Sequence, residues 1–238
     1  MTIGYYTDNN VSHAVMKALS AGGIRTAHIK DFDPFNVDDP VFYGILRGAG
    51  SAIRHLQFIG ANFYYIDNGY FDALYMGKGK IKEMGGKYRI VKNALIDTFP
   101  SGNFITPVLP HTPLRFLLLP PSHYTAFMHD TTPEDWTITW GQKIHDLGHS
   151  RKTRDKTETI PLEDELANCD AVFAFNSMAV IKAIEMGKVV YTTHGVIQNS
   201  DFLGKICPTY SFEDIKRYFG PKNFTLEEIA RMGVKCLG

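Results

Sequence analysis

The chain is short of cysteine, with three in 238 residues: Cys169, Cys207 and Cys236. An odd number at those spacings excludes a disulfide framework and a paired-thiolate metal clip, and makes a reducing cytosol the expected compartment. Excess charge is lacking too. Lys+Arg 25 balance Asp+Glu 25, so no global field draws the molecule to nucleic acid or membrane, and an anion site has to be local. Long apolar runs are missing as well: the densest, Phe116 to Leu119, stops at Pro120-Pro121, and Met1-Thr2-Ile3-Gly4-Tyr5 is no basic leader. A soluble chain without a recognisable export signal is expected. Internal repeats and low-complexity tracts are absent.

What is present is core material, 44% hydrophobic and 13% aromatic, which rules out disorder for most of the length. Apolar runs alternate with helical patterns. Strands are predicted at Ile3 to Thr7, Thr26 to Ile29, Val41 to Leu46 and Phe63 to Ile66. A helix carries Val11, Val15, Ala18 and Leu19 and ends at Gly22-Gly23, and another runs from Ser51 to Phe58. Residues 98 to 113 hold Pro100, Pro107, Pro110 and Pro113, poor helix material that reads as a linker. Beyond it come strands at Arg115 to Leu119, Ala171 to Phe175 and Val189 to Thr193, with helices from Pro133 to Leu147, Leu162 to Ala167 and Met178 to Met186. Strands spaced by helices imply parallel pairing, so the expected fold is α/β, two Rossmann-like lobes facing a cleft, divided as 1–112 and 113–238.

Ligands of such sheets bind at the carboxyl ends of strands. One such end is Phe175-Asn176-Ser177-Met178, where a strand runs into good N-cap residues and a helix, leaving N–H groups for an anion; capping alone explains the same residues. Arg151, Lys152, Arg154 and Lys156 stand against Asp155 in a segment that suits a diphosphate clamp or a solvated loop. Pro120-Pro121-Ser122 offers a further hydroxyl. In the first part, Asp67 ends a strand where a general base could stand, although Asp67-Asn68-Gly69 is also ordinary turn chemistry. Arg47, among Gly44, Gly48 and Gly50, could meet a phosphate.

Six cations, Lys78, Lys80, Lys82, Lys87, Arg89 and Lys92, face only Glu83 between positions 78 and 92, with Tyr75 and Tyr88 interleaved. That pattern fits a salt-sensitive surface for an anionic acceptor, or a basic exposed hairpin. Asp31-Phe32-Asp33 and the pair His145, His149 are weak metal signals: three letters of acidic loop are common, and the helical pair lacks a third ligand.

The segment Pro161-Leu162-Glu163-Asp164-Glu165-Leu166, through Asn176-Ser177 to Gly187-Lys188-Val189-Val190, resembles the donor-binding lobe of GT-B glycosyltransferases of the capsule-polysaccharide type. Tyr43 to Gly48, Tyr65 to Phe71, Tyr88 to Asn93, Leu119 to Ser122 and Phe224 to Ile229 resemble a family of bacteriophage proteins, some relatives of which glycosylate hydroxymethylated bases in DNA. The resemblance implies a compact GT-B enzyme that is inverting and metal-independent, with a UDP-type nucleotide sugar as co-substrate and no permanently bound cofactor. It implies that Asn176 and Ser177 meet the donor diphosphate, that Arg151 and Lys156 neutralise it and that Asp67 is the base; on the reading of the residues, Ser122, Arg154 and Met178 are expected to join the diphosphate site, and Arg47, Tyr70 and the cations from Lys78 to Lys92 to hold DNA. Tyr6-Thr7-Asp8-Asn9 stands where a glycine-rich donor loop would follow the first strand. A polysaccharide or lipid-linked acceptor, a nucleotide-sugar epimerase, and a non-enzymatic nucleotide- or DNA-binding module are the competing readings.

Overall fold

The computed structural model describes residues 2–36, 38–71, 86–100, 103–105, 112–155 and 159–238. The chain forms two compact α/β units, 1–95 with 219–238 and 96–218.

The first unit begins with β1 (Thr2–Tyr6), α1 (Asn10–Ala21) and β2 (Arg25–His28), followed by β3 (Asp39–Tyr43), α2 (Ala49–Ile59), β4 (Tyr64–Asn68) and β5 (Tyr88–Lys92). In the second lie β6 (Arg115–Leu119), α3 (His123–Phe127), α4 (Pro133–Asp146), β7 (Ser150–Thr153), α5 (Leu162–Ala167), β8 (Ala171–Ala174), α6 (Ala179–Glu185) and β9 (Val189–Thr192). Then α7 (Phe212–Phe219) leads back to the first unit, which ends with β10 (Asn223–Phe224) and α8 (Leu226–Met232).

The first sheet has the order β10-β5-β4-β3-β1-β2; β1 to β4 are parallel, and β5 and β10 each run antiparallel to their inner neighbour. Asn9 starts α1 by accepting from the Val11 and Ser12 amides at 2.8 and 3.3 Å, two of the donors a helix start leaves open. Val15 and Leu19 of α1 then pack with Val41, Ile66, Tyr88 and Ile229. The α8 turn is set by a reciprocal cap in which the Thr225 amide donates to Glu228 at 2.7 Å and the Glu228 amide to Thr225 at 3.1 Å. Gly22 and Gly233 bring the ends of α1 and α8 into backbone contact, with no room at either for a Cβ.

The second sheet is all parallel, β7-β6-β8-β9. One face meets α4, where Trp136 and Ile144 pack on Phe116, Phe173, Phe175 and Tyr191. Asn199, 2% exposed, ties β9 to the chain beyond it: it accepts from the Thr192 amide at 2.8 Å and donates to the Val190 carbonyl and the Tyr210 hydroxyl at 2.8 and 2.7 Å. Arg115 forks onto Asp170 with two bonds of 2.9 Å, joining the starts of β6 and β8.

Three features differ from the sequence reading. The stretch from residue 96 belongs to the second unit, because Phe99 is buried, donates its amide to Val196 at 2.6 Å and packs edge-on to Tyr210 and Tyr218. Its prolines forbid a helix but not burial. The last twenty residues rejoin the first unit, since β10 completes the edge beyond β5. The basic run at Ser150 to Thr153 is the edge strand β7, all of it exposed, so it carries no alternation to mark it.

Two predictions follow from this packing. In urea denaturation followed by circular dichroism, Gly233→Ala should lose about 3 kcal/mol or more, since a methyl group meets Gly22 backbone; Gly23→Ala, at a φ of 88° with open space around it, should lose about 1 kcal/mol. Asp170 is depressed to about 2 by the hydrogen bond from Arg115. Its stabilisation is therefore present above the ordinary carboxylate range and lost as pH falls toward 2, so Asp170→Asn should flatten the stability profile between about pH 4 and 2.

Candidate functional site

The strand order of the second sheet creates its crevice. From β6 the chain steps to β7 on one side, then crosses back to β8 on the other, so the loops leaving β6 and β8 diverge at the carboxyl edge. Leu119 and Ala174, the last residues of the two strands, are register partners. Pro120 and Pro121 end β6, and Ser122 caps α3: its hydroxyl accepts from the Thr125 amide at 3.2 Å and bonds the Thr125 hydroxyl at 2.8 Å. Beyond β8, Phe175 donates its amide to the Leu119 carbonyl at 3.1 Å and closes the floor. Asn176, Ser177 and Met178 follow, half-buried, with the Ser177 hydroxyl accepting from the Ala179 amide at 3.2 Å. Ser122, Asn176, Ser177 and Met178 therefore share one edge, as the sequence suggested.

A cavity of about 710 Å³ opens on the β7 side of Ser122. Pro121, Tyr124 and Ile138 give it apolar walls, Ser122, Thr153 and Arg154 add polar groups, and Glu134 and Asp155 add two carboxylates. That size and mixture suit a small organic ligand with a polar end.

The cations expected to clamp a diphosphate are differently placed. Arg151 lies on β7 across Gly141 of α4, whose missing side chain makes room for the guanidinium, and so points along the sheet face. Arg154 lines the cavity but is ion-paired with Glu165, whose side chain is 4% exposed, and donates to the Ile160 carbonyl at 2.9 Å. Lys152 meets the same carboxylate at 2.7 Å. A buried carboxylate has to be neutralised, and Glu165 takes both cations for that purpose. Lys156 lies outside the described residues.

In the first unit Asp67 is held in a structural clamp instead of standing open at an edge. It sits directly opposite Arg89 across β4 and β5. The Arg89 guanidinium reaches it at 3.0 Å, the Tyr65 hydroxyl donates at 2.8 Å, and the Asn68 amide donates at 2.8 Å. Burial, with Asp67 beside it, pushes the Tyr65 hydroxyl well up from its ordinary value. Arg89 is buried and also donates to the Asn68 carbonyl, so it is no surface contact. Tyr70, 5% exposed, stacks on Phe219 at 4.2 Å and lies under Arg89. Tyr88 is buried in the α1 core. Lys92 remains exposed with its ammonium 5.4 Å from the Tyr64 ring centroid. Lys87 is half-buried, its carbonyl accepting from Gly69 at 2.8 Å. Lys78, Lys80, Lys82 and Tyr75 lie outside the described residues.

The weak metal signals have structural explanations. Asp33 accepts from the Phe35 amide at 3.0 Å and from Asn36, an Asx turn. The His149 ring accepts from the Leu114 amide at 3.2 Å and packs on Phe116. Among the described residues, no group of three His, Cys, Asp or Glu side chains is placed to hold a metal.

Sequence reasoning passed over Asp8. The first sheet repeats the reversal, with β1 between β2 and β3, and Asp8 lies just past the carboxyl end of β1. Lys30 donates its amide to His28 Nδ1 at 3.1 Å, which leaves Nε2 to carry the proton toward Asp8 Oδ1 at 3.2 Å. That hydrogen bond holds the Asp8 carboxyl below its ordinary value, and its side chain is 75% exposed. Arg47, exposed and in a left-handed conformation at φ 57°, donates to the Asp8 carbonyl. The available signal was an acidic residue just beyond the first strand of a parallel sheet.

No protein-family model and no curated protein matches the chain. Among solved structures it is similar to Thermosulfurimonas dismutans KpsC, a beta Kdo 2,4 transferase, at 9% identity and a TM-score of 0.49, covering 100% of this chain and 98% of that one. No functional assignment rests on a likeness of that size.

The ion pairs make a direct prediction. Arg89→Met leaves Asp67 without its cation and Arg154→Met leaves the buried Glu165 carboxylate with only Lys152, so each should cost about 3 kcal/mol of unfolding free energy. Exposed Lys92→Ala should stay within about 0.5 kcal/mol.

Proposed function

We propose that the protein is a glycosyltransferase that takes a sugar from a UDP-type nucleotide donor bound at the carboxyl edge of its second sheet. The observation that carries this reading is the carboxyl edge at which the register-paired strands β6 and β8 are followed by Ser122 and by Asn176-Ser177, with a 710 Å³ cavity opening on the Ser122 side. The resemblance of residues 161–190 to transferase donor lobes supports it. With Lys152 and Arg154 committed to Glu165, the diphosphate is recognised chiefly by hydroxyl, amide and backbone N–H donors.

For the acceptor we propose a saccharide hydroxyl, on a polysaccharide or a lipid-linked glycan. A DNA acceptor loses much of its support, since Arg89 and Tyr70 are buried. Asp67 loses its support as the base, since its carboxylate is engaged by Arg89 and Tyr65.

The test is a panel of nucleotide sugars with glycan acceptors and with hydroxymethylated DNA, read by product mass. Sugar is expected on a glycan, with Asp67→Asn acting on stability rather than on kcat, because the Asp67 carboxylate holds Arg89 and Tyr65. Ser122→Ala and Asn176→Ala should each raise the donor KM about 10-fold or more. A hexose or pentose gained by DNA alone overturns the acceptor and leaves the donor reading standing. Absence of transfer from every donor to either acceptor overturns both.

A further inference from the structure

A pair of histidines occupies the same unit and has no part in the reading above. His129 lies in the turn after α3, and His194 follows β9; their ring centroids are 4.4 Å apart with the planes at 50°. Phe175, 1% exposed at the end of β8, is the floor for both: His194 stacks on it at 4.4 Å and His129 meets it edge-on at 5.1 Å. The placement is held from several sides. His194 donates its amide to the Phe175 carbonyl at 2.8 Å, the neighbouring Thr193 hydroxyl receives the Trp136 indole N–H at 3.3 Å, and a positive φ of 52° at Asp130 turns the chain after His129.

Both imidazoles are half-buried, and His194 Nδ1 is a buried polar atom with no hydrogen-bond partner among the described residues. A buried ring nitrogen left unmatched is costly unless something binds it. We propose that His129 and His194 form an anion subsite at the carboxyl ends of β8 and β9 that takes a phosphoryl group and draws protons onto the imidazoles as it binds. This subsite rests on the geometry of the second unit and does not require that sugar transfer be the reaction. A metal fits the pair less well, since no third His, Cys, Asp or Glu ligand joins them among the described residues.

The electrostatics agree with the geometry. Burial holds His129 down at about 4, His194 adds to the lowering and Asp130 opposes it; burial also lowers His194. Trp136 from α4 and Phe175 from β8 bring no charge. Each ring is therefore neutral at pH 7, and the site carries no charge until an anion arrives. An anion stabilises the imidazolium, so it raises both ring values, and affinity should increase as pH falls from 8 toward 5.

The experiment is ¹⁵N NMR of the imidazoles in the whole chain, titrated with pyrophosphate, inorganic phosphate and UDP in turn, which reads ring protonation directly and is indifferent to the ligand's own titration. Two histidine signals should move toward the imidazolium pattern on saturation at pH 6, and be lost from the set in turn in His129→Gln and His194→Gln. Each variant should bind pyrophosphate about 10-fold or more weakly while near-UV circular dichroism stays native. UDP binding tighter than pyrophosphate assigns the subsite to a nucleotide's diphosphate, and equal binding assigns it to free phosphate species; both support it. Failure of all three ligands to shift these rings overturns the proposal. So does unchanged affinity in both variants, or a response of the pair to Zn²⁺ alone. None of these results depends on whether any sugar is transferred.

Discussion

Each sheet keeps its first strand in the interior, and that constraint organises everything else. With β1 between β2 and β3, and β6 between β7 and β8, the chain must leave the first strand to one side and later cross to the other. Crossovers that run off in opposite directions cannot close over the carboxyl edge, so a crevice stays open between the two loops. In the second unit the loops on its two sides carry Ser122 and Asn176-Ser177, with a cavity alongside Ser122. In the first it gathers Asp8, His28 and Arg47.

A second constraint decides which charges remain for a ligand. A cation near a buried or half-buried carboxylate is held there first, because an unpaired charge in the interior costs several kcal/mol. Arg89 goes to Asp67, and Lys152 and Arg154 go to Glu165. Runs of basic residues that look like anion-binding surfaces in the linear chain are thus partly internal ties between neighbouring strands and helices. Among the described residues, the edge that remains is rich in hydroxyls, amides and imidazoles and poor in free cations. Such a surface suits a ligand whose charge is met by oriented donors, in keeping with an anion held at the ends of parallel strands.

Many of the regular elements were legible where a buried apolar stripe or a cap announced them, but α3, α7 and α8 were passed over although Ser122 caps α3 and Thr225 with Glu228 caps α8. Arg115–Leu119 and Leu162–Ala167 fall where the pattern put them, and the ends of α1, α4 and β8 lie within a residue or two. Elements without that signal were missed: β7 is exposed along its length, β10 is two residues long, and β5 is a mixed sequence whose Arg89 reads as surface until its partner is known. The proline-rich stretch after residue 96 was misread for the converse reason, since Phe99 is buried by contacts made about a hundred residues further on.

The linear chain by itself determined the α/β class, the presence of parallel units, and where β6 and β8 end, because period, caps and prolines are local properties. Tertiary structure alone decided which charges were available, through pairings such as Asp67 with Arg89 that depend on strand register. It also decided that Asp8 meets His28, and that His129 faces His194 over Phe175, since residues 20 and 65 positions apart become neighbours only through strand order and the packing of loops around it.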